Sequence, residues 1–293
     1  MKIAFVGASG YGNLGDDTYP LVFREQLPGH ELVFYNSDLP AALPDDIGLL
    51  IIGGGGVLHN VGAQPEDSAS PHFSCMKFYM DAAIERGIPW GFISCGFQFH
   101  AHREAEFASD LRPWAPYLQS AHFIALRSPA CLRIAREISG RSDVAWFPDA
   151  GYLYSPELLP AKNVITIVPA GAVNATDPII HHYIRLFDSI QQPITWLSMG
   201  ARRDDGPILD KVRQRLPHHH IVERSDARSA FSQIARSRLV ITGRYHGLVF
   251  ARTARVPFLT PTSNPHKIRH EDLSVDPTTA KGHIETLKRF LPA

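Results

Sequence analysis

Cysteine is scarce: Cys75, Cys95 and Cys131 are the only three in 293 residues, and they lie far apart without a CxxC pair. Neither a disulfide framework nor a zinc knuckle can be assembled from them, so buried free thiols are expected. Net charge is missing as well. Twenty-nine Lys and Arg balance 29 Asp and Glu, which leaves no bulk field to draw nucleic acid or an anionic bilayer, and any anion site must be local. Long apolar runs are also lacking. The longest, residues 47–58, is interrupted by glycines and falls short of the roughly 20 residues of a membrane span, so no transmembrane segment is expected. Met1 to Gly7 reaches glycine before an apolar signal region can form, and a cytoplasmic protein is expected.

What is present is the composition of a folded globular chain, 44% hydrophobic and 20% charged. Short apolar runs alternate with longer amphipathic ones, the pattern of parallel βα units, and the class is α/β. Strands are predicted at 2–6, 31–35, 49–52, 90–95, 123–126 and 144–147, and helices at 17–26, 73–86, 103–119 and 129–138. Gly87 and Gly140 stand where helix C-caps belong. A turn-rich stretch from Phe147 to Pro160 marks the linker, dividing a first domain at 1–155 from a second at 156–293. The second domain carries predicted strands at 164–168, 194–199, 220–222, 239–242 and 257–260. Its predicted helices are 179–190, 207–215, 227–235 and 246–254, with a closing helix at 279–290. Two doubly wound domains facing one another leave a cleft at the carboxyl ends of their strands, where ligands bind.

Several segments at those strand ends carry chemistry. Gly10-Tyr11-Gly12-Asn13-Leu14-Gly15 spells a dinucleotide fingerprint, but Gly7-Ala8-Ser9 separates it from the strand. Asp16 and Asp17 would also repel a pyrophosphate at the helix start. Asp17 suits an N-cap, which leaves Asp16 as the chemical candidate. Gly53 to Gly56 opens backbone N–H groups and permits close approach of a ligand, with His59 and Asn60 following. Thr242-Gly243-Arg244-Tyr245-His246-Gly247 runs from a strand into a helix. It combines a guanidinium that can grip a carboxylate or phosphate with an imidazole that can exchange a proton near neutral pH. Arg127 occupies the corresponding place in the first domain, so Arg127 and Arg244 on opposite walls could clamp a small polyanion. Lys267 could return to the same rim, although a solvated surface position suits it equally well. His218-His219-His220 lacks partners at metal-ligand spacing and is expected at the surface.

In this order, Gly12-Asn13-Leu14-Gly15-Asp16, the Gly53 to Gly56 run, Leu126-Arg127-Ser128, Phe147-Pro148-Asp149, Thr242 to Gly247 and Lys267-Ile268 resemble the polysaccharide pyruvyl transferase family. The resemblance implies a GT-B-like pair of Rossmann-type domains across a cleft. It also implies an enzyme that moves the pyruvyl group of phosphoenolpyruvate onto sugar hydroxyls as a ketal, in exopolysaccharide or cell-surface glycan synthesis. Arg127, Arg244 and His246 fall on family positions that hold the donor, and Asp16 on the acidic position proposed for catalysis. Ketal formation calls for an acid and a base, and His246 and Asp16 on opposite walls supply them. Lys267, Asn13, Gly54 and Gly55 complete the expected substrate contacts. The expected partners are a small donor and a glycan or lipid-linked sugar acceptor, with no metal and no cofactor besides phosphoenolpyruvate as donor substrate. Two other readings stay open. One is a GT-B glycosyltransferase using a nucleotide sugar, and the other a non-catalytic sugar-binding module, since fold does not fix function.

Overall fold

The computed structural model describes residues 1–37, 39–60, 69–97, 111–155, 160, 162–169, 193–200, 202–223, 225–260 and 274–292, with the backbone alone for 202–204. Six strands, β1 (Lys2–Gly7), β2 (Glu31–Asn36), β3 (Ile47–Leu58), β4 (Trp90–Phe97), β5 (Phe123–Leu126) and β6 (Ala145–Trp146), form one parallel sheet in the order β2-β1-β3-β4-β5-β6. A second parallel sheet holds β7 (Ile165–Val168), β8 (Ile194–Leu197), β9 (His220–Val222), β10 (Leu239–Thr242) and β11 (Phe258–Leu259) in the order β11-β10-β7-β8-β9. The fold is α/β with two doubly wound sheets. Parallel strands are covered on both faces and read as continuous apolar runs, and β4 is buried at every residue.

Helix limits follow local chemistry. Ser70 accepts a hydrogen bond from Phe73 N ahead of Pro71 at the first helical position of Pro71–Glu85. Ser128 does the same for Cys131 N, at 3.2 Å, ahead of Pro129 in Pro129–Ser139. Gly87 and Gly140 follow these helices at φ +63° and +70°, the left-handed conformation that ends a helix without a Cβ penalty. β3 departs from expectation. Rather than stopping at Ile52 it continues through the glycines to Leu58, in register with β4 from Leu50↔Trp90 to Leu58↔Phe97 across one irregularity. A Cβ on Gly53 would overlap the carbonyl of Ile93. The predicted helix at 179–190, residues 103–110 of the predicted helix at 103–119, and Lys267 lie outside the described residues.

The chain packs into two compact units. The first comprises Met1–Gly10, Tyr19–Leu153 and Ser274–Ala293, and the second Tyr11–Thr18 and Tyr154–Leu273. The expected division at 155 falls two residues beyond the crossover at Leu153, but two segments change sides. The C-terminal helix, Gly282–Lys288, was expected to close the second domain and instead joins the first unit. Phe290 packs on Phe123 with ring centroids 4.7 Å apart, and Nε2 of His283 lies 3.0 Å from the Pro148 carbonyl. Residues 11–18 belong to the second unit, where Leu14 N donates to Met199 O at 2.9 Å. Trp90, Trp114, Tyr79 and Phe92 centre the core of the first unit, and Trp196, Leu209 and Val212 that of the second. Among the described residues no helix is long and apolar enough to cross a membrane.

In a doubly wound sheet the ligand crevice opens where the strand order reverses. In the first unit that point lies between the carboxyl ends of β1 and β3, so the chain there is Gly7 onward and the Gly53 to Gly56 run. In the second unit it lies between β7 and β10, which end at Val168-Pro169 and Thr242-Gly243-Arg244.

Candidate functional site

The second unit gathers four of the residues singled out by the sequence. Asn13 Nδ2 donates to Asp16 Oδ2 at 2.5 Å, while Asn13 Oδ1 accepts from Gly15 N at 3.3 Å. Asp17 N donates to Asn13 O at 2.9 Å and Thr18 Oγ to Gly15 O at 2.5 Å, closing the Gly12–Thr18 segment on itself. The other oxygen of Asp16 stands 3.9 Å from Nδ1 of His246. Both side chains are nearly buried, with 12% and 8% of their surface exposed. Asp16 and His246 therefore share one unit rather than facing each other from opposite walls. The cause is the anchoring of the Asn13–Asp16 segment through Leu14 to Met199, beyond the end of β8.

Thr242 organises the β10-to-helix turn that carries His246. Its hydroxyl accepts from Arg244 N at 3.0 Å and donates to Arg244 O at 2.9 Å. A Cβ on Gly247 would collide with that hydroxyl, so glycine is required one residue past His246. Arg244 is the N-cap residue of Tyr245–Thr253. Its side chain turns away from the helix N–H groups. Nε donates to Pro169 O at 3.1 Å, and Nη2 pairs with Asp205. The partner is in the same unit, so Arg244 does not depend on an interdomain bridge for its charge balance. Asp205 is completely buried and also accepts from Ser198 Oγ at 3.0 Å, Met199 N at 3.1 Å and Gly200 N at 2.7 Å.

The first unit repeats the device. Arg127, at the carboxyl end of β5, points Nη1 at Oδ2 of the completely buried Asp149, 3.3 Å away. Asp149 also accepts from the Tyr19 hydroxyl at 2.7 Å and from Gly151 N at 2.8 Å. The neighbouring Ala150 N donates to Ser94 Oγ at 2.7 Å. Ser94 holds φ +51°, a conformation uncommon outside glycine that survives where surrounding contacts determine it. Gly54 and Gly55 also adopt positive φ, +80° and +87°. A Cβ on Gly54 would press into the Tyr19 ring, so one glycine of the run serves packing of the residue that holds Asp149.

Other candidates have structural partners. Asn60 Oδ1 accepts from Ser70 N at 2.7 Å, and the His59 ring stacks on His72 with centroids 3.9 Å apart. The expectation of a surface histidine run holds for His218 and His220 but not for His219, which is buried and accepts from Trp196 Nε1 at 3.1 Å. All three cysteines are buried and in no disulfide. Burial pushes the Cys95 thiol well above its ordinary range, which rules out a thiolate nucleophile there. Among the described residues no group of three or more His, Cys, Asp or Glu is placed to hold a metal ion. Sequence reasoning missed Asp205, Tyr19 and His283. None sits in a motif, and Asp205 falls two residues before the predicted helix at 207–215, where an acidic residue reads as ordinary solvated surface.

Two parallel sheets, each with a switch point at its carboxyl edge, define a GT-B-like α/β protein. Solved structures of the same fold include the UDP-GlcNAc 2-epimerase of Neisseria meningitidis bound to UDP-GlcNAc, 10% identical, covering 99% of this chain and 91% of that one with a TM-score of 0.54. The S. aureus MnaA–UDP structure is 11% identical and covers 99% and 89%, also at a TM-score of 0.54. The chain belongs to the polysaccharide pyruvyl transferase family, whose sequence profile matches residues 13–264. General stress protein 30 of Bacillus subtilis (strain 168) is 23% identical over 315 aligned positions, covering 99% of this chain and 84% of that protein.

Proposed function

We propose that this transferase-family protein moves the pyruvyl group of phosphoenolpyruvate onto two hydroxyls of a glycan or lipid-linked sugar, acting in the cytoplasm during exopolysaccharide or cell-surface glycan synthesis. The observation that carries the reading is the Asp16–His246 pair, 3.9 Å apart, with Arg244 two residues before the histidine. His246 as imidazolium protonates the methylene carbon of the enol, which becomes the methyl group. The cation formed at the neighbouring carbon is captured by a sugar oxygen whose proton passes to Asp16. A second sugar hydroxyl then displaces phosphate, which leaves with its bonding electron pair and takes up the remaining proton. Arg244 favours this step by neutralising the carboxylate or the departing phosphate, and Arg127 is proposed as an anion-binding residue of the first unit. Lys267 is proposed as a further donor contact, and Gly55 as a close backbone approach in the first unit. Asn13, in contrast, has its amide committed to Asp16 and Gly15, and its contribution is to hold the base.

A nucleotide-sugar reaction is the competing reading, favoured by the fold shared with UDP-GlcNAc 2-epimerases. The deciding assay measures phosphate released from phosphoenolpyruvate and UDP released from UDP-sugars, each with a panel of glycan acceptors. Phosphate release that depends on acceptor supports the pyruvyl transfer. UDP release alone, or neither product, overturns it.

A further inference from the structure

We infer that Asp205 is a positioning residue, which fixes the plane of the Arg244 guanidinium so that its outer edge can receive an oxyanion of the substrate. The inference rests on the reading of Arg244 as an anion-binding residue. Asp205 is remote in sequence from the motifs of the chain, yet it is completely buried and four donors converge on its carboxylate. Three of them, Ser198 Oγ, Met199 N and Gly200 N, come from the turn after β8 and fix where Oδ2 lies. The fourth is Nη2 of Arg244 on Oδ1. The Pro169 carbonyl, just past β7, takes Nε of the same guanidinium. Two donors on one edge of the fork are therefore held from the ends of two adjacent strands, Nε from β7 and Nη2, through Asp205, from β8. A guanidinium grips a carboxylate or phosphate through two parallel N–H groups, and that grip is only as good as the orientation of its plane.

Gly200 supports the same conclusion independently. A Cβ at this position would overlap Nη2 of Arg244 and lie 2.6 Å from Cζ, so the absence of a side chain there is what admits the guanidinium. Arg244 retains 14% of its side-chain surface exposed and lies at the switch point of the second sheet, two residues from His246. A pair serving stability alone has no need of that address. The recognised chemistry is a planar or tetrahedral oxyanion, and phosphoenolpyruvate offers both a carboxylate and a phosphate.

The test is calorimetric titration of the protein, three single variants and one double variant with phosphoenolpyruvate, pyruvate, inorganic phosphate and UDP, with folding verified by circular dichroism. Asp205→Asn keeps the shape and removes the charge. Gly200→Ala keeps every charge and displaces the guanidinium. Arg244→Lys keeps the charge and removes the fork. The expected result is at least tenfold weaker phosphoenolpyruvate binding in each, and no further loss when Asp205→Asn is added to Arg244→Lys, because Asp205 acts through the guanidinium. Comparison of the pyruvate and phosphate arms identifies which oxyanion Arg244 holds. Wild-type affinity in Gly200→Ala, or additive losses in the double variant, would overturn the assignment, and Gly200→Ala decides the matter should Asp205→Asn fail to fold. If the wild type ignores phosphoenolpyruvate but binds inorganic phosphate or UDP, the donor assignment fails. The same variants titrated with that anion then decide Asp205: weakened binding supports it and unchanged binding overturns it. If the wild type binds none of these anions, both readings fall.

Discussion

Gly15 and His246 are packed so closely that a Cβ built on the glycine overlaps Cβ, Cγ and Nδ1 of the imidazole. The ring therefore lies directly against the backbone of the Asn13–Asp16 segment, with Nδ1 toward the Asp16 carboxylate at 3.9 Å. The contact explains why glycine precedes the aspartate and why the segment packs with the second sheet.

Gly15→Ala should displace the imidazole without adding or removing a charged side chain. A misplacement of about 1 Å can cost on the order of 10²-fold in rate, and overpacking typically costs about 1–3 kcal/mol of stability. Turnover of the transferase reaction should fall by roughly that factor in a protein that remains folded. Near-normal turnover would show that the Asp16–His246 geometry is not used.

His246→Gln and Asp16→Asn should each reduce turnover by about 10²–10⁴-fold, the range for loss of an acid–base group. They should differ in donor affinity. Asp16→Asn removes a negative charge from beside an anionic donor and should tighten binding, whereas His246→Gln should leave it little changed or weaker. Steady-state rates and donor titrations on both variants check the distinction, and retention of turnover by either one marks its residue as structural.

Tyr19→Phe removes the hydroxyl that donates to the buried Asp149 at 2.7 Å. A hydrogen bond to a charged group contributes about 1.5–3 kcal/mol, so urea unfolding should shift to a lower midpoint by a comparable loss of stability. Trp90 and Trp114, both in the core of the first unit, provide the fluorescence signal. An unchanged midpoint would mean that Arg127 and Gly151 hold Asp149 without help from the tyrosine.

His283 makes stability depend on pH. Burial is the largest influence and lowers its pKa to about 4 against an ordinary 6.5, opposed by the Asp149 charge and the Pro148 and Phe147 carbonyls. Between those values the unfolded chain takes up a proton that the native imidazole does not, so stability is full above about pH 6.5 and declines as pH falls toward 4. At about 1.4 kcal/mol per pKa unit the decline amounts to about 3 kcal/mol. His283→Gln should flatten the melting temperature over this interval, and an unaltered profile would place the acid sensitivity in other groups.

The alternation of strands and helices, the helix start at Ser128-Pro129 and the stops at Gly87 and Gly140 were legible in the chain because each depends on residues within one or two turns, whereas the helix predicted from 73 begins two residues earlier, behind the Ser70 cap. Periodicity and capping are local chemistry. Asp16, Arg244 and His246 could also be singled out, since charged residues at strand-to-helix junctions of a doubly wound sheet have few other reasons to be there. Where the pieces belong was decided by the tertiary structure. Residues 11–18 follow β1 in sequence yet pack with the second unit through Leu14 and Met199, and the C-terminal helix returns to the first unit through His283 and Phe290. Only that arrangement puts Asp16 beside His246. Asp205 makes the same point from the other side. Whether an aspartate is a solvated surface group or a buried acceptor of four hydrogen bonds depends on donors brought from Ser198, Met199, Gly200 and Arg244 by folding, and no spacing within its own helix records them.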